Sequence, residues 1–268
     1  MAINALQSAA SALSALNTSL DVTSNNLANV NTAGFKASRT NFQDLLYIEK
    51  VQPGTENALG QRNPTGLFVG LGVKVSGTQL DFTPGSPQQT VRELDLSIDG
   101  QGFFKVQVED NLGTVAYTRA GNFALNQDGE LVLANDTGRR LDPTITIPPE
   151  ATQVAVDASG KVFVLLADGS TEPTEVGQLE LTTFVNPAGL SQIGENLYRE
   201  TVASGTPTNG NPGEQNRGRI KQGMLESSNV DPTRELIEMI KTQRAFEMNS
   251  NSIKAADETL RNVAALRR

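Results

Sequence analysis

The chain has no cysteine, no histidine and no tryptophan in its 268 residues. Without histidine there is no Ser-His-Asp triad and no imidazole acid–base group. Without cysteine there is no thiolate nucleophile, no His/Cys zinc site and no disulfide. Positive charge is also short. Lys and Arg number 22 against 30 Asp and Glu, a net −8 that argues against nucleic acid and an anionic membrane surface as partners. No Lys or Arg precedes Lys36, so the basic start of a cleaved secretory signal is missing, and the apolar runs there are far too short to span a bilayer. Neither a cleaved signal nor membrane insertion is expected.

Glycine and proline are absent from particular places rather than scarce. Only Gly34 precedes Gly54 and none follows Gly223; no proline precedes Pro53 and only Pro232 follows Pro212. Charge is divided the same way. Residues 1–52 and 224–268 each sum to zero, so the whole −8 lies in residues 53–223. Two helical arms flanking a turn-rich acidic middle follow from this punctuation.

In the first arm Leu6, Leu13, Leu20 and Leu27 repeat every seven residues, with Ile3, Ala10, Asn17 and Ser24 at the partner positions. That period predicts an amphipathic helix with a coiled-coil-like seam, stopping at Asn31-Thr32-Ala33-Gly34 with Gly34 as the left-handed capping residue. Asp21 is the only charge before Ala33. Small uncharged polar residues suit a helix with neighbours on several sides, where charges would be costly to desolvate. The second arm opens on Asp231 as N-cap and Pro232 at the first helical position. Met239, Phe246, Ile253 and Leu260 then recur every seven residues, with Thr242, Asn249, Ala256 and Val263 beside them. Two such seams can pair with each other.

Between the arms the period becomes two. Val73–Val75, Glu93–Ile98, Phe104–Val108, Thr144–Ile147 and Gln178–Leu181 alternate, separated by Asp99-Gly100, Asp128-Gly129, Ser159-Gly160 and Asp168-Gly169. These predict antiparallel strands in a small barrel-like or sandwich domain. The stretches from Gly129 and Gly160 read as two similar hairpins. Tyr47–Gly66 has neither period and predicts a long loop or extended stretch. The fold class expected is α+β, with N- and C-terminal helices paired as a coiled-coil-like inner domain and an antiparallel all-β middle.

No reactive constellation emerges. Asp136-Thr137-Gly138 matches the aspartic-protease triplet but occurs once, between Asn135 and Arg139-Arg140, and reads as a turn. Asp95, Ser97 and Asp99 start like a calcium loop, yet Val106 stands where a bidentate Glu is needed. The Gly70/Gly72 and Gly100/Gly102 pairs lack the rest of a dinucleotide fingerprint. No catalytic residue, cofactor or metal is expected. Two function classes stay open: an assembly subunit polymerising through its arms, and a secreted β-rich binding module whose helices close its own core.

The motif from Ser24 through Asn25, Asn26, Asn29, Asn31, Gly34 and Phe35 to Lys36 resembles the N-terminal signature of the bacterial flagellar rod and hook protein family. The stretch from Gly223 through Glu226 to Asn229 and Val230 resembles its C-terminal signature, as do Gln243, Arg244, Glu247 and Asn249 around Phe246. The family usually has Tyr where this chain has Phe246. Phe42–Tyr47, Gln52–Gly54, Gly66–Val73, Gly100–Phe104, Tyr117–Arg119 and Ile193–Tyr198 follow the order of features of the family's distal rod branch, with proximal rod subunits as the alternative. The resemblance implies a self-assembling, non-enzymatic subunit of a rigid hollow shaft crossing the periplasm and carrying torque to the hook. Its implied partners are further copies, proximal rod proteins, hook protein, basal-body ring proteins and the flagellar export apparatus, with export free of a cleaved signal. It implies three domains: 1–33 with 232–268 as the inner tube, 34–95 with 205–231 as a connector including 47–66, and 96–204 as the outer β domain. It also implies that 47–66 bridges subunits and stiffens the shaft. Ile3, Leu6, Leu13, Leu20, Leu27, Met239, Phe246, Ile253 and Leu260 form the expected assembly seam.

Overall fold

The computed structural model describes residues 2–56, 62, 64–110, 113–167 and 173–265. Its contacts divide the chain into two compact units. The arm unit comprises residues 1–28, 38–80 and 231–268; the β unit comprises 29–37 and 81–230. The expected connector segment 34–95 is thus shared, with 38–80 in the arm unit and its two ends in the β unit. The Asp168-Gly169 turn lies outside the described residues.

In the arm unit, α1 (Ala2–Ala28) and α2 (Pro232–Ala265) lie against each other. Asp231 caps α2 as its chemistry requires: its carboxylate accepts from the amides of Thr233 (2.9 Å) and Arg234 (3.3 Å). The helix α1 ends at Ala28, three residues before the expected stop begins at Asn31. Gly34 is left-handed (φ 70°), but its role is not capping. A Cβ there would stand 2.6 Å from the Ala120 amide nitrogen, so glycine permits a close backbone approach inside the β unit.

The arm unit also holds a long antiparallel ribbon. Strand β1 (Ser38–Asp44) continues into β2 (Tyr47–Val51), and β3 (Leu67–Gly70) returns into β4 (Val73–Leu80). β1 pairs with β4 from Ser38↔Leu80 to Asp44↔Val73, and β2 with β3 from Tyr47↔Gly70 to Val51↔Leu67. Backbone bonds between Leu45 and Gly72 and between Leu46 and Leu71 join the two halves, and Glu56 bridges Arg62 further out. Of the stretch Tyr47–Gly66 read as a loop or extended segment, Tyr47–Val51 is paired strand, and residues 57–61 and 63 lie outside the described residues. Ser8, Ser11 and Asn26 of α1 face this ribbon. The Ser11 hydroxyl accepts from the Val73 amide (3.3 Å), and Asn26 exchanges two bonds with the Ser38 backbone (2.8 and 2.9 Å), acting as a surrogate strand for the start of β1.

The β unit is built from small antiparallel sheets about one core. Among the described residues it has a four-stranded sheet, a three-stranded sheet and four two-stranded ones, rather than two large facing layers. Strands β5 (Pro87–Gln89) and β6 (Leu96–Asp99) pair with Met224–Glu226 and Arg219–Gln222. Strands β7 (Phe104–Asp110) and β8 (Gly113–Thr118) form a hairpin. Phe104, Val106, Phe123, Leu131, Val162 and Leu181 are among the core residues.

Two expected strands are corrected. Thr144–Ile147 alternates as read, with Ile145 and Ile147 buried, but forms only isolated pairings with residues 129–131. Pro143 and the Pro148-Pro149 pair flank it and cannot donate to a ladder. Gln178–Leu181 buries Leu179 and Leu181 but is not one strand. The chain changes partners there, from Lys161–Val164 to Thr208–Gly210. The two similar hairpins are present, as Phe123–Leu125 with Leu131–Leu133 and Ala151–Val156 with Lys161–Leu166. Asp136-Thr137-Gly138 is a turn, with the Asn135 side-chain oxygen accepting from the Gly138 amide (2.8 Å).

Candidate assembly surfaces

The expected seam residues occupy one stripe of α2. Met239, Phe246, Asn249, Ile253 and Ala256 are half-buried and Thr242 is buried, whereas Leu260 is exposed. On α1, Leu6, Leu13, Leu20 and Leu27 are half-buried; Ala10, Asn17 and Ser24 are exposed; and Ala9, Ala15, Thr23 and Asn26 are buried. The Ile3 and Val263 side chains lie outside the described residues. Leu236, Ile237, Ile240 and Met248 of α2 face solvent. Gln243, Arg244 and Glu247 are also exposed on α2, while Asn249 donates to the Ala245 carbonyl (2.9 Å).

The ribbon carries a second apolar surface, which the sequence reading did not single out. Phe42, Tyr47, Ile48, Leu67 and Phe68 are exposed, and Leu46 is 82% exposed. A two-stranded ribbon is marginal in water, and among the described residues no third strand joins either of its edges. Large apolar side chains on such a ribbon are the signature of a surface that partners cover. The aromatics Phe42, Tyr47 and Phe68, in and beside an aperiodic stretch, were the available sequence signal.

The signature residues meet inside the β unit. Lys36 is fully buried and donates to Glu226 (2.6 Å) and to the Thr83 carbonyl (2.8 Å). Glu226 also accepts from the Gly85 amide (2.9 Å) and from Arg119 (3.4 Å). Arg119 donates to the Gly100 carbonyl (2.9 Å) and stacks over Phe103, 5.3 Å from its centroid. One carboxylate thus serves two buried cations. Burial pushes the Lys36 ammonium below its usual range, partly opposed by Glu226, and burial lowers Arg119 as well. Removing one member of such a buried group costs about 3–5 kcal/mol.

The motif asparagines act on the backbone. The Asn229 side chain accepts from the Ala37 amide (2.7 Å) and donates to the Asp81 (2.8 Å) and Thr83 (3.2 Å) carbonyls. The Asn29 side chain accepts from the Thr32 hydroxyl (3.1 Å). Phe35 is buried, and Asn25 and Asn31 are exposed. Next to the ionic group, Phe82, Phe103, Phe184, Tyr117 and Tyr198 pack edge to face. Burial, then the Glu200 carboxylate, pushes the Tyr117 phenol up to about 12; burial raises Tyr198 too. Among the described residues no group of side chains could hold a metal ion. No helix among them is long and apolar enough to cross a membrane.

Three family models match the chain. "Flagella basal body rod protein" matches residues 6–36, "Flagellar hook protein FlgE/F/G D1 domain" 97–164, and "Flagellar basal body rod FlgEFG protein C-terminal" 221–266. Full-length relatives agree. The flagellar basal-body rod protein FlgG of Caulobacter vibrioides is 43% identical over 266 residues, covering 99% of this chain and all of that one. The chain belongs to the flagellar basal-body rod protein family. FlgG of Bacillus subtilis is 40% identical over 273 residues, covering 99% of this chain and 100% of its own. FlgF of Caulobacter vibrioides is 34% identical over 253 residues, covering 91% of this chain and 89% of its own. The FlgG relatives thus share more of their sequence with this chain than the FlgF relative does, and the chain is a structural subunit of the flagellar rod. Lys36, Arg119 and Glu226 lie one in each of the three matched regions. The ribbon, residues 38–80, lies outside all three.

Proposed function

We propose that the chain is the distal rod subunit, assembling helically into a rigid hollow shaft that carries torque to the hook. The observation that carries this reading is the pair of exposed apolar surfaces on one unit, Leu236, Ile237, Ile240 and Met248 of α2 and the ribbon. The nearly chargeless α1 supports it, because a wall helix touched by several copies gains by carrying no charge to desolvate. In this reading α1 and α2 pair through a coiled-coil-like seam and line the central channel, while the acidic β unit faces outward. The ribbon bridges neighbouring copies and stiffens the shaft. Proximal rod proteins, hook protein, ring proteins and the export apparatus are its partners, export needs no cleaved signal, and its work is packing rather than catalysis.

The test is assembly of seam variants. Leu13→Asp or Leu20→Asp abolishes polymerisation while circular dichroism and near-ultraviolet spectra of the β unit persist; normal polymers from either variant contradict the seam. The secreted binding module is distinguished by concentration. A binding module stays monomeric, whereas a rod subunit gains order as it associates.

A further inference from the structure

The buried Lys36–Glu226–Arg119 group has a topological consequence. The two cations arrive early in the chain, and the one carboxylate that faces both arrives 190 residues after Lys36. Much else depends on the same late segment. Met224–Glu226 supplies the partner strand of β5, and Arg219–Gln222 that of β6. The Gly34 amide donates to the Glu226 carbonyl (2.7 Å), the Ser227 amide to Ser86 (3.0 Å), and the Asn229 amide to Phe35 (3.4 Å). By contrast, the mutual pairing of β7 with β8 uses no residue beyond 118, and the segments that join it, Leu197–Tyr198 on β8 and residues 140–142 on β7, all precede Glu226.

We propose that Glu226 is the closing latch of the β unit: residues 29–37 and 81–89 dock stably only when the segment around Glu226 inserts its carboxylate between Lys36 and Arg119. Before insertion, docking Lys36 would bury an ammonium beside a second cation, Arg119, with no carboxylate in contact with either and only Asp81 acting on Lys36 from further off. Desolvation makes that state unfavourable, so the segment just after α1 stays undocked. Insertion neutralises one cation, satisfies the Gly85 amide and completes two strand pairs in one step. The latch therefore fastens the roots of both helical arms, residues 29–37 and 226–230, together.

Pulse-labelling hydrogen exchange during refolding of the full chain tests the order. Amides of β7 and β8 gain protection first, and those of Gly34, Gly85, Ser227 and Asn229 gain it last and together. Simultaneous or earlier protection of the latter set overturns the proposal. Glu226→Gln provides the second arm. Native-state exchange at Gly34, Gly85, Ser227 and Asn229 speeds at least tenfold, while β7 and β8 are unchanged. No increase at the four amides, or an equal increase at both places, overturns it. If E226Q does not fold, the wild-type refolding order still decides. Adding Lys36→Met to Glu226→Gln removes one unpaired cation and recovers folding or slows exchange relative to the single variant; absence of recovery contradicts the electrostatic cause.

Discussion

Tyr117 and Tyr198 sit where apolar packing and a buried ionic group meet, and their phenols are held neutral by burial. A phenol whose folded pKa exceeds its unfolded value contributes stability that is complete below about pH 10 and is lost as pH rises through the folded value. For Tyr117 that window runs from about 10 to about 12. Tyrosinate absorbance should therefore show both buried tyrosines titrating late in the folded protein and near pH 10 after denaturation. A native titration with every tyrosine at pH 10 would contradict the packing. At Asn26, replacement by alanine removes two bonds to Ser38. The expected cost is about 1–3 kcal/mol, seen as faster hydrogen exchange along β1. The motif residues stood out in the sequence, but what they touch did not. Nothing in the order of residues pairs Lys36 with Glu226, because a bond spanning that separation is set by the tertiary fold alone.

Elements were legible where local chemistry decides them. Asp231-Pro232 marks the start of α2, and the alternation of Phe104–Val108 marks β7. They were less legible where neighbours decide. Thr144–Ile147 has strand periodicity, yet its flanking prolines leave it to pair only singly. Residues 47–51 and 67–70 carry no clear alternation, yet pair along their length. The reason is that their apolar side chains are exposed on the single chain, so burial by the chain's own core imposes no period on them. Two predictions belong here. Ile240→Asp alters an exposed position, so the monomer should keep its helix content and melting behaviour while losing polymerisation, checked by sedimentation. Replacing residues 47–70 by Asn-Gly joins Leu46 to Leu71, which already share a backbone bond, through a favoured hairpin turn. Polymers of that variant should bend, judged by their curvature in electron micrographs; shafts as straight as the unaltered ones would refute the stiffening role.

At the scale of the whole molecule, the absence of His and Cys, the first arm with Asp21 as its one charge and the net −8 confined to the middle are parts of one division of labour. The β unit has a contiguous core and a buried ionic clasp, and its exposed large apolar side chains, Val91, Leu125, Val185, Ile193 and Val202, are dispersed along the chain. The arm unit instead leaves Leu236, Ile237, Ile240 and Met248 of α2 and the apolar residues of the ribbon in water. Burying each such Leu, Ile or Phe is worth about 1.5–3 kcal/mol before ordering costs, so association is where that surface gains its stability. The central claim is that this surface is covered by further copies of the same chain. Electron microscopy of the purified, concentrated protein tests it most directly. The account predicts straight tubes with a central channel, whereas particles that remain monomeric at every concentration would contradict it.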